Sequence, residues 1–261
     1  MAEPPGPEPL PRRDRAIVIA GLAAVCLLAW LYLVHSAHDM GGADMAAMPG
    51  MVMTSAWSAR EAALTFAMWA VMMAAMMLPS AAPMTLLFAA INGKRAAAGS
   101  AAVPTAIFVA GYLATWTTFA AAATLAQWAL QRHALLASDT RATGPLLGGA
   151  LLVAAGLYQL TPAKSACLSR CRSPFAFIMS EWRDGRRGAL VMGVRHGALC
   201  VGCCWALMAL LFAVGVMNLL WVAAIAAFVL VEKLAPAGRA VGLGAGAVLI
   251  AWGLWVATRG V

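Results

Sequence analysis

Seven apolar runs, separated by short polar segments, dominate this chain: Ala16–Val34, Ala62–Ile91, Pro104–Leu130, Pro145–Thr161, Ala189–Met217, Asn218–Val231 and Ala240–Thr258. Only Arg195 places a charge inside any of them. Ala16–Val34 offers 19 uncharged residues, about 28 Å of helix and enough for one crossing of a bilayer. A secretory signal has a shorter apolar region and a small-residue cleavage site, which the following HSAHD does not supply. The run is therefore read as a retained helix. The expected fold is an all-α polytopic membrane helix bundle of about seven transmembrane helices. Asn218–Val231 is the short member, because its 14 residues make about 21 Å of helix. Either the helix extends past Glu232 and Lys233 with those charges snorkelling, or it is a re-entrant half-helix. The preceding GVMN, Gly215–Asn218, supplies the turn.

Composition agrees. The 261 residues are 63% hydrophobic and 11% charged, against about a quarter charged in ordinary globular domains. That excludes a soluble enzyme, a secreted disulfide scaffold and a disordered linker. The net charge of +8 reports orientation rather than a nucleic-acid partner, because cytoplasmic loops are the basic ones. With the N-terminus inside, seven crossings put fourteen Lys and Arg residues on inner segments and four (Arg60, Arg132, Arg141, Arg259) on outer ones. The expected location is the inner membrane, with a cytoplasmic N-terminus and an extracytoplasmic C-terminus. Three segments follow: a disordered, Pro-rich cytoplasmic tail over 1–15, a first helix with a His/Met-rich outer loop over 16–61, and a helix bundle with a metal site over 62–261.

Methionine is the first chemical anomaly, since eleven of the 16 lie between Met40 and Met84. The outer loop reads HSAHDMGGADMAAMPGMVMTSAW and holds His35, His38, Met45, Met48, Met51 and Met53. Thioethers prefer Cu(I), whereas imidazole and carboxylate accept Cu(II) or Zn(II), so the mixture suits copper. The second apolar run continues as AMWAVMMAAMMLPSAAPM. On a regular helix, Met68, Met72 and Met76 form one stripe of about 80°, with Met73, Met77 and Met84 on a second of about 40°. Pro79 and Pro83 are expected to disturb that helix, and broken membrane helices are tolerated where they line a cavity. The alternative is that methionine fills gaps between helices.

The sharpest cluster is RHGALCVGCCWALM. His196, Cys200, Cys203 and Cys204 share about 100° of one helix face. An isolated intramembrane cysteine is usually a small buried hydrophobe. Three within five residues, with a histidine one turn below, read instead as soft and borderline metal ligands. They rise over roughly 12 Å, so another helix must complete the site. The Met stripes and the Cys cluster fall at similar depth, yet sequence does not say whether the two helices touch. Arg195 is either a snorkelling boundary cation or a charge that stabilises nearby thiolates. Cys167 and Cys171, spaced i and i+4 in a basic inner segment, are expected to form a separate cytoplasmic two-thiolate station.

At AMWAVMMAAMMLPSAAPM, GALCVGCCWALMALLFAVGVMNLLW and VEKLAP the chain resembles a bacterial family of predicted metal-binding integral membrane proteins of unknown function. The resemblance runs from about Ala62 to Pro236 and implies a metal without fixing its identity. The residues themselves point to binding or transport of a transition metal, copper first, with zinc or nickel as alternatives. No P-loop nucleotide motif is present. The expected partners are membrane lipid and a metallochaperone or partner membrane protein, and an enzymatic role is not expected. Two rival classes are a quinone-coupled thiol–disulfide oxidoreductase using Cys200 and Cys203, and a membrane subunit that only packs against a larger complex.

Overall fold

The computed structural model describes residues 11–42, 57–136 and 144–259, and its elements are all α-helices. They are α1 (Arg12–Gly42), α2 (Ala59–Ala97), α3 (Thr105–Arg132), α4 (Pro145–Gln159), α5 (Pro162–Cys171), α6 (Pro174–Glu181), α7 (Gly185–Ala209), α8 (Leu211–Val214), α9 (Leu219–Leu234) and α10 (Gly238–Arg259). Among the described residues five helices are long and apolar enough to cross a membrane: α1, α2, α3, the α7–α8 segment and α10. The run Pro145–Thr161 qualifies as a sixth only when α4 is joined to α5 across a 65° bend. The short run becomes α9, whose 16 residues span about 24 Å. Large apolar side chains such as Leu28, Leu146, Leu220 and Leu254 stand on the outside, as expected of helices solvated by lipid.

Two boundaries differ from the sequence expectation. Residues 12–15, placed in the tail, form the first turn of α1. His35 and His38, placed in the outer loop, continue the same helix. The helix propagates because nothing in Val34–His38 breaks it; the first strong breakers are Gly41 and Gly42. The rest of that loop, with Met45, Met48, Met51 and Met53, lies outside the described residues.

Helix α2 begins at a capping box. Ser58 Oγ accepts from the Glu61 N–H at 3.2 Å, and the Glu61 carboxylate accepts from the Ser58 N–H at 2.7 Å. It then runs unbroken through Pro79 and Pro83, contrary to the expected disturbance. Packing keeps it continuous: twelve of its residues between Met72 and Ala89 are buried, and tertiary burial outweighs the two missing donors. The GVMN turn forms as expected. Gly215 adopts φ +95°, closed to side chains, and the Asn218 N–H donates to its carbonyl at 3.1 Å.

Glycines set the closest helix contacts. A Cβ at Gly193 would collide with the carbonyl of Phe108, and one at Gly111 with that of Leu190. The α3 and α7 backbones therefore touch, in the manner of small-residue seams in membranes. That approach brings Tyr112 of α3 against Cys200 of α7.

Candidate metal centre

The three α7 cysteines are buried between α2, α3, α5 and α9, with Cys200 and Cys204 at 1% exposure and Cys203 at 0%. Their i, i+3, i+4 spacing stacks them on one face of the helix. Cys203 and Cys204 donate to the Cys200 carbonyl at 3.1 and 2.9 Å. The Cys204 thiol points at the Met77 thioether, 3.9 Å away. So the methionine-rich and cysteine-rich helices do touch, at Met77 and Cys204. Met72, Met73, Met76 and Met77 all lie in this core at 2% exposure or less, and Met68 is half-buried beside it.

Helix α5 changes the expected layout. Thr161 caps it by accepting from the Lys164 N–H at 3.2 Å, and Pro162 at its first position fixes the start. The helix lies across α7 so closely that a Cβ on Gly202 would stand 2.9 Å from Cys167 Sγ. Cys171 is buried and its thiol interacts with those of Cys200 and Cys203. The two α5 cysteines therefore lie against α7 rather than apart from it, and Cys171 stands beside Cys200 and Cys203. The bend after α4 folds the segment back onto the bundle.

His196 is buried at 2% exposure, one turn below Cys200, inside an aromatic cage. Its ring centroid lies 5.7 Å from that of Tyr112, 6.2 Å from Phe108 and 5.5 Å from Phe177. Its Nδ1 is buried without a hydrogen-bond partner among the described residues. His35 and His38 are exposed at the far end of α1, which packs chiefly on α2. Among the described residues no three His, Cys, Asp or Glu side chains stand in finished ligating geometry.

Several residues at the site escaped sequence reasoning. The cation beside the thiols is Lys233, whose Nζ lies 2.8 Å from Cys200 Sγ and 3.1 Å from Ser80 Oγ. Arg195 is exposed and pairs with Glu181. Tyr112 Oη lies 3.0 Å from Cys200 Sγ and donates to the Met77 carbonyl at 3.1 Å. Glu232 and Lys233 do not snorkel. Both are buried, and Lys164 Nζ sits 2.6 and 2.8 Å from the two Glu232 oxygens. Arg172 then clamps the end of α9, donating to the carbonyls of Glu232, Ala235 and Pro236. One signal for Lys233 did exist: a helix begun at Asn218 is too short to carry it across a hydrocarbon core of about 30 Å.

The family model PpoB2, described as a copper chaperone, matches residues 66–256. No curated protein and no solved structure matches the chain.

Proposed function

The chain belongs to the PpoB2 family of copper chaperones, and from that premise we propose that it binds Cu(I) within the membrane and hands it to a partner. The ion is cargo, held among Cys171, Cys200, Cys203 and Cys204, with the Met77 thioether beside them. One observation carries the reading: four thiols and a thioether, from three helices far apart in sequence, converge in one buried place. Thiolates and thioethers are the ligands that a soft monovalent copper ion prefers. Met68, Met72, Met73 and Met76 extend a thioether track along α2, and weak, numerous ligands favour movement by ligand exchange. His196, with its unpartnered Nδ1, marks the route one turn below the thiols. His35, His38 and the methionines after them gather the ion on the outer side.

The proposed setting is the inner membrane with the N-terminus cytoplasmic. Counted over seven crossings, with the α4–α5 segment and α9 taken as one each, Lys164 and Lys233 are buried and drop out of the inner loop cations, leaving twelve against four.

The test is the Cys200→Ser, Cys203→Ser, Cys204→Ser variant in detergent, under strictly reducing conditions. Each change is nearly isosteric, so insertion and elution volume are expected to match wild type. Wild-type protein is expected to retain Cu(I) against a chromophoric chelator, and the variant to release it. Equal retention by both overturns the site. Copper-free wild type carrying a reversible Cys200–Cys203 disulfide would favour the oxidoreductase class instead.

A further inference from the structure

Four basic or acidic side chains are buried in the described core: Lys164, Glu232, Lys233 and His196. Lys164 and Glu232 neutralise each other. Lys233, at 6% exposure, is left over. Among the described residues no carboxylate pairs with it; its partners are Cys200 Sγ and Ser80 Oγ. The groups around it are thiols, hydroxyls and one imidazole from the elements packed there: Ser80 of α2, Tyr112 of α3, Cys171 of α5, and His196 and the three cysteines of α7. A cation so far from water is tolerated only where an anion accompanies it. The neighbouring helix supplies none except sulfur.

The position is also built rather than incidental. Glu232, next to Lys233 in sequence, faces away on the helix and is taken by Lys164. Arg172 fixes the last turn of α9 by three carbonyls, which fixes the backbone that carries Lys233. The fold thus holds the Lys233 amine against the thiol cluster, with Cys200 sulfur as the one group there able to become its anion.

We infer that Lys233 is the built-in counter-ion of a Cu(I) dithiolate, and so sets which ion the cluster takes. Cu(I) between two cysteine thiolates carries one net negative charge, and the ammonium beside Cys200 brings the loaded site to neutrality. Loading is ligand exchange: two sulfur–copper bonds form, the bonds to the delivering ligand break, the thiol protons leave to that ligand or to water, and copper stays Cu(I). A divalent ion on the same two thiolates gives a neutral complex and leaves Lys233 uncompensated. The residue therefore works for Cu(I) and against Zn(II) or Ni(II). This inference rests on the copper reading above and deepens it by giving the charge of the loaded complex.

The experiment compares wild type, Lys233→Arg and Lys233→Met in detergent, measuring Cu(I) affinity by chelator competition and Zn(II) affinity with a fluorescent zinc indicator. Removing a unit charge a few ångströms from the complex should weaken Cu(I) binding about a hundredfold at an intermediate effective dielectric. Lys233→Arg, which keeps the charge, should stay within about tenfold of wild type. Zn(II) affinity should hold or rise in Lys233→Met. A structural role would lower both metals together, and that result overturns the inference, as does unchanged Cu(I) affinity in folded Lys233→Met. If that variant does not fold, sulfur K-edge and copper K-edge absorption of the wild type still decide: two thiolate sulfurs on copper support the inference, and three thiolates, or thioethers alone, overturn it. Wild type that binds no Cu(I), or binds it equally after the triple Ser substitution, would instead sink the proposed function itself.

Discussion

Lys164→Met is the perturbation whose cost follows most directly from the geometry. Lys164 and Glu232 are 2% and 1% exposed, with the ammonium 2.6 Å from the carboxylate. Truncating the cation leaves a buried carboxylate without its partner, a change that typically costs about 3–5 kcal/mol. The pair joins α5 to α9, so the loss should fall first on the docking of α5, and with it on Cys171. Adding Glu232→Gln removes the orphaned charge and should recover more than about half of the loss, because the penalty belongs to the unpaired ion and not to the missing attraction. Denaturant titration in detergent, followed by tryptophan fluorescence, measures both variants, and a double-mutant cycle gives the coupling. The rate of Cys171 alkylation, in a protein lacking the other cysteines, reports the local effect. If Lys164→Met unfolds within about 0.5 kcal/mol of wild type, or if Glu232→Gln adds to the loss instead of relieving it, then the carboxylate is not an obligate partner of Lys164 and the argument fails.

Gly193→Ala should destabilise by about 1–3 kcal/mol through collision with the Phe108 carbonyl; wild-type unfolding would show that α3 and α7 can part. Tyr112→Phe removes the hydroxyl from Cys200 and Met77 and should cost about 1 kcal/mol, with a measurable change in Cu(I) affinity; unchanged affinity would remove Tyr112 from the site. The Trp182 indole N–H and Arg95 hold the Asp184 carboxyl below the usual carboxylate range. The stability this contributes is present above the unfolded value near pH 4 and is lost as pH falls through the lower folded one. Asp184→Asn should therefore differ from wild type at neutral pH and converge with it in acid; divergence in acid would contradict this. If the α4–α5 segment and α9 each make one crossing, seven crossings put Val261 outside, so a reporter fluorescent only in the cytoplasm and fused there should stay dark; bright signal would mean an even number of crossings, with α9 the first to be demoted.

What the sequence determined by itself is what composition and period can carry. Runs too apolar for water must be helices in lipid, because only helices satisfy their own backbone there, and the all-helical fold follows. The i, i+3, i+4 spacing placed Cys200, Cys203 and Cys204 on one face, since a regular helix leaves no other choice. Equal depth brought Met77 level with them for the same reason. Partnership across helices is another matter, being set by which backbones can approach. Gly111 and Gly193 decided that Tyr112 reaches Cys200, and the bend between α4 and α5 decided that Cys171 joins the cluster rather than standing apart. Lys233 shows the limit most clearly. Read along the chain, Glu232 and Lys233 are two charges at a helix end and belong in water. Only the tertiary structure supplies Lys164 for the first and a thiol for the second, and only with those partners can charges remain inside.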